Sequence, residues 1–133
     1  MQITSFKDLV NIGLAENKQQ RLLLVFVKAD AREGTPGDGG ERGALTPVMC
    51  TDKVLSKVLK FDKLVAEADS VSRGWDFVLI SSLGSRGTSL PSAEEADVYL
   101  QRMANMVQMG GDLSGFVIFD RQETPIIIQS PLH

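Results

Sequence analysis

Leu22-Leu23-Leu24-Val25-Phe26-Val27 and Trp75-Asp76-Phe77-Val78-Leu79-Ile80 decide the fold. The first is an unbroken apolar run of strand length with no alternation. A strand covered on both faces reads this way, as in sheets whose parallel strands are flanked by helices on each side. The second is rich in aromatic and branched side chains and predicts another central strand. Arg73-Gly74 just before it suits the end of a helix, because glycine takes the left-handed turn after a helical C-terminus.

Working outward, Phe6, Leu9, Val10, Gly13 and Leu14 recur at helical spacing, with Ser5 placed to cap the N-terminus and Asp8 three residues on. Asp30 to Gly43 reads DAREGTPGDGGERG, with five glycines, one proline and six charges in fourteen residues. No such stretch holds a periodic core face, so it predicts a long flexible loop. Ala44 to Cys50 is short and interrupted by Pro47 and carries no assignment. Thr51-Asp52 could cap a helix carrying Val54, Leu55, Val58, Leu59, Phe61, Leu64, Val65 and Ala68. Two readings stay open there: one bent helix, or an extended piece followed by a helix starting near Phe61.

Beyond the second strand, Ser81 to Ser89 is polar and reads as a loop. Ser92-Ala93-Glu94-Glu95 fits the S-x-x-E capping box, and Ala96, Tyr99, Leu100, Met103, Met106 and Val107 give the following helix one apolar stripe before Gly110-Gly111. Phe116 to Phe119 and Ile126 to Ile128 are short enough and close enough for a C-terminal β-hairpin, with Pro125 at a strand start or edge. The order implies a single α/β domain over residues 1–133: a mixed sheet of four or five strands with flanking helices. Helical crossovers predict parallel neighbours and the last pair an antiparallel one.

This order resembles thioredoxin-like folds in topology. Those families place a CxxC at the start of the helix after the first central strand and a cis-proline before the hairpin. Cys50 lies near the first position without a second cysteine, and Gly111 to Gly115 contains no proline.

Composition narrows the chemistry. The 133 residues suit one core. With 43% hydrophobic and 23% charged residues, the chain matches ordinary soluble domains. A net charge of -3 offers no basic field for nucleic acid. The N-terminal MQITSFKDLV lacks the basic and apolar regions of an export signal, and the lone thiol suits a reducing compartment, so a cytoplasmic location is expected, with no membrane role. One cysteine leaves out an intramolecular disulfide and cysteine-rich zinc sites, one histidine, His133 at the last position, leaves out histidine-based triads unless the tail folds back, and nothing implies a metal or cofactor.

Two candidate sites remain. Right-handed crossovers would put the loops after both central strands on one sheet edge, so that Asp30 to Gly43 faces residues 81–91 across a ligand crevice. Arg86, Ser85, Gly87, Thr88 and the helix start at Ser92 would there bind a small anionic ligand or a protein partner. The glycines do not make a nucleotide site, because Gly40-Glu41 stands where a phosphate loop needs Lys-Ser/Thr, and Arg42 stands where GxGxxG needs its last glycine. The second candidate is Cys50, whose thiol a helix beginning at Thr51 and the charge of Lys53 would activate. Its apolar neighbours Val48 and Met49 favour instead a buried structural cysteine.

Residues 43–53 (GALTPVMCTDK), 61–68 (FDKLVAEA) and 119–122 (FDRQ) together resemble a family of short proteobacterial proteins that carry the label "ribonucleotide reductase subunit alpha", over nearly the whole chain. The label implies a link to ribonucleotide reduction, in an accessory or regulatory role. A catalytic subunit of that enzyme is far larger and uses a radical cysteine and a reducing cysteine pair, whereas this chain has one cysteine. The expected function is accordingly a binding or interaction domain, with regulation as one role open to it. The alternative is a thioredoxin-like single-cysteine thiol enzyme or redox sensor using Cys50.

Overall fold

A computed structural model describes residues 3–16, 18–30, 44–85 and 89–126. The element order is α1 (Phe6–Ala15), β1 (Gln20–Asp30), β2 (Ala44–Val54), α2 (Phe61–Val71), β3 (Phe77–Gly84), α3 (Ala93–Gln108) and β4 (Val117–Asp120). The strands form one sheet in the order β2-β1-β3-β4, with every neighbouring pair antiparallel. The described residues are thus α/β, with four strands and three helices, and the central neighbours are antiparallel where crossovers predicted parallel ones.

One strand accounts for the difference. Residues 44–54, in which Thr51-Asp52 was expected to cap a helix, are extended and pair with β1 from Arg21↔Val54 to Asp30↔Ala44. Pro47 is tolerated because β2 is an edge strand, and the register shifts beside it between Phe26 and Val27, leaving Val48 as the extra residue of a bulge. The helix then starts at Phe61, the second of the two readings left open. Since β2 and β3 both run opposite to β1, they are parallel to each other, and α2 connects these parallel strands across β1 instead of between neighbours. The second central strand also runs on through Ser81–Gly84, part of the expected loop, because Gln20 to Leu23 offers it pairing partners.

The apolar run of β1 is covered on both faces. Leu22, Leu24 and Phe26 face α1 and α2 through Phe6, Val10, Phe61, Leu64 and Ala68, while Leu23, Val25 and Val27 face α3 through Ala96, Leu100, Met103 and Val107. The starts of α1 and α3 follow the expected caps, whereas α2 starts after Lys60 with no side-chain cap. Ser5 Oγ accepts from the Asp8 N–H at 3.2 Å. Ser92 and Glu95 complete a reciprocal capping box. The C-terminal hairpin begins as expected: Ile126 N–H donates to the Ile118 carbonyl at 2.8 Å and Phe119 bridges Pro125, while residues 127–128 lie outside the described residues. In its turn Glu123 takes a φ of 65°, and its carboxylate accepts from the Phe6 N–H at 2.7 Å, tying the hairpin to the start of α1.

Candidate functional site

The antiparallel pairing removes the premise of the crevice. Gln20 pairs with Gly84 at one end of β1 and Asp30 with Ala44 at the other, so the segments following β1 and β3 leave the sheet from ends roughly 30 Å apart. Residues 31–43, Arg86, Gly87 and Thr88 themselves lie outside the described residues. Ser85 continues the β1–β3 ladder, its N–H donating to the Gln19 carbonyl at 3.1 Å. Ser92 is committed to the α3 cap: its Oγ accepts from the Glu95 N–H at 3.0 Å, and its own N–H donates to the Glu95 carboxylate at 3.1 Å. The start of α3 therefore already holds an internal anion.

Cys50 stands in mid-strand on β2, opposite Val25, and not at a helix start. Its side chain shares the α3 face of the sheet with Val25. The residue is exposed, so it is not the buried structural cysteine its neighbours favoured. Its thiol is nevertheless pushed above the ordinary cysteine value, first by partial burial and then by the nearby carboxylate of Asp97. The activating helix end is absent, and Lys53 is engaged elsewhere, its Nζ donating to both carboxylate oxygens of Glu67 at 2.7 and 2.8 Å.

What the structure does bring together is a groove between β2 and α2. Phe26, Met49, Thr51, Leu64, Ala68 and Val71 line a cavity of about 170 Å³ that Cys50 also borders, and the Lys53–Glu67 bridge joins its two walls. A dry apolar cavity of about 150 Å³ accepts benzene, so this one is large enough for an apolar side chain. Val71 at its mouth is 74% exposed.

The groove lies along an open edge. The Leu55 N–H donates to the Gln20 carbonyl at 2.8 Å, fixing Gln20 and Leu55 as a hydrogen-bonded pair. Alternation along an antiparallel ladder then turns the backbone groups of Thr51 and Lys53 toward β1 and those of Cys50, Asp52 and Val54 outward. No described residue pairs with that outer edge. At the opposite side of the sheet, the segment after the turn begins to cover β4 through Pro125 and Ile126.

Sequence reasoning missed this site because its two walls come from elements joined only in the fold, and because β2 itself was not assigned. A usable signal was present. Met49, Thr51 and Lys53 alternate with Cys50, Asp52 and Val54, but neither set is uniformly apolar, so the period of two is weak.

Among the described residues, no helix is long and apolar enough to cross a membrane, and no cluster of metal-ligating side chains forms. The chain matches no protein-family model, no curated protein and no solved structure.

Proposed function

We propose that this chain is a binding or interaction domain whose partner adds an extended segment to the outer edge of β2 and lays an apolar side chain in the β2–α2 groove. The observation that carries this reading is the coincidence of outward backbone groups at Cys50, Asp52 and Val54 with an apolar groove beside them. Main-chain hydrogen bonds supply affinity in such strand addition, and a pocket for alternate side chains supplies selectivity. Pro47 and the bulge at Val48 blunt the first half of the edge, as edge strands require to avoid indiscriminate pairing, and confine docking to Met49–Val54. An accessory role beside a reductase rests on the sequence resemblance alone.

Photocrosslinking in intact cells tests the reading. A benzophenone amino acid at Val54 or Val71 is expected to capture one discrete partner, whereas the same group at Met109, 84% exposed at the end of α3, captures none. Equal labelling from all three positions, or none from the first two, removes it.

The thiol reading has less behind it. A raised pKa leaves little thiolate at neutral pH, since the nucleophilic form is populated only as pH approaches the pKa. Alkylation of folded Cys50 is expected to run slower than in the unfolded chain at pH 7–8, with a midpoint above the free-thiol value of about 8.5. A midpoint below about 8 would restore the single-cysteine enzyme or redox sensor.

A further inference from the structure

We infer that the segment docking on β2 alternates apolar and basic residues, with its basic side chains on the α3 face and its apolar ones over the α2 groove. This rests on the edge-docking reading above and adds the chemistry of the partner. In an added strand, the residue opposite Thr51 projects over the groove, and those opposite Cys50 and Asp52 project on the α3 side.

The two faces ask for different side chains. On the α2 face the charged residues that line the groove among the described residues, Lys53 and Glu67, close on each other at 2.7 Å, leaving Met49, Leu64 and Val71 to meet an uncharged apolar group. On the α3 face Asp52 is bridged to Arg21 at 2.7 Å, and Arg21 Nε also donates to the Pro91 carbonyl. Asp97, exposed on α3, forms no ion pair among the described residues; it follows Ala96, which packs in one cluster with Val25, the ladder partner of Cys50, so α3 covers the face on which Cys50 lies. Arg102 on the same helix is drawn onto the Tyr99 ring, 5.2 Å from its centroid. Among the described residues, the edge therefore presents one uncompensated negative charge on the α3 face that carries Cys50.

The same charges argue against a second copy as the occupant. Antiparallel pairing of β2 with itself brings another Asp52 and another Asp97 onto an edge that already carries both, between chains each of net charge -3. Like charges placed across a strand pair destabilise it.

The test uses the full chain and three blocked nine-residue peptides: valine alternating with lysine, valine with glutamate, and serine with lysine. Binding is read from amide shifts and hydrogen-exchange protection at Cys50, Asp52 and Val54. The valine–lysine peptide is expected to protect these amides and to bind about tenfold tighter than the valine–glutamate peptide, and the serine–lysine peptide to bind more weakly for want of a side chain in the groove. Asp97→Asn is expected to weaken the valine–lysine peptide roughly three- to fivefold with the thermal midpoint unchanged. Valine–glutamate binding as tight at the same amides overturns the basic segment and leaves edge docking standing. No response of these amides to any peptide overturns both. Protection that rises with protein concentration in the absence of peptide puts a second copy on the edge and overturns the inference.

Discussion

Replacing Trp75 with alanine is expected to lower the free energy of unfolding by about 3–5 kcal/mol, the range for deleting a buried aromatic. Trp75 is 1% exposed and sits where three elements meet. Its ring stands edge-on to Phe26 of β1, with centroids 5.0 Å apart. Its indole N–H donates to Asp69 of α2 at 3.0 Å, and the guanidinium of Arg121, after β4, lies 4.2 Å from the ring centroid. Arg121 also donates to the Trp75 carbonyl at 3.2 Å and to Asp69 at 2.7 Å, and its bond to Asp69, followed by the indole N–H, holds the Asp69 carboxyl below the usual carboxylate range. Alanine leaves a cavity against Phe26 and strips the stacking surface from Arg121. Trp75→Phe keeps much of the apolar volume and loses the indole N–H, so its cost is expected to be smaller, about 1–3 kcal/mol. Because Trp75 is the sole tryptophan, urea unfolding of both variants is followed by circular dichroism. A loss under about 1 kcal/mol for alanine would mean that the site collapses and that Trp75 does not anchor this corner.

The parts of the fold that were readable in the sequence are those whose signal is local. Ser5 and Ser92 each carry a capping hydroxyl at the start of a 3.6-residue stripe, and both helices begin there. The apolar run 22–27 correctly implies a strand covered on both faces, but cover on two faces does not fix the direction of the neighbours. Here helices cover an antiparallel sheet from both sides. Direction depended on β2, whose signal was weak for a physical reason. An edge strand has one ladder partner and partial cover, so it holds Thr51, Asp52 and Lys53 beside Met49 and tolerates Pro47. With β2 unassigned, β1 and β3 looked like adjacent parallel strands, and the loops after them looked like the two sides of one crevice. The groove could not be read at all, because it needs α2 to lie over the edge strand, which is a matter of tertiary packing.

Docking at the β2 edge depends on both neighbouring helices holding their places. The groove wall is α2, which shares its face with α1 and Trp75. The charge beside Cys50 is on α3, the one described helix on its face, so that side has no second element to compensate for lost packing.

Leu100→Ala is therefore expected to cost about 2–5 kcal/mol and to loosen α3 ahead of the rest of the molecule. Leu100 is 3% exposed in the middle of the stripe Ala96, Met103 and Val107, which packs on Leu23, Val25, Leu79 and Ile118. Truncation leaves a cavity against strands already paired on both sides, which cannot shift to fill it. Leu100→Met nearly conserves volume and is expected to cost less than about 1.5 kcal/mol. Val98→Ala, at a position 50% exposed, is expected within about 0.5 kcal/mol of the parent, since it removes little buried surface and alanine favours helix. Chemical unfolding of the three variants gives the ranking, and amide exchange shows where the loss falls. Faster exchange in α3 and at Cys50 with α2 unchanged is the expected pattern. Uniform acceleration across α1, α2 and the sheet would instead mean that the two faces unfold as one unit, and that the charge at Asp97 cannot be loosened separately from the groove it adjoins.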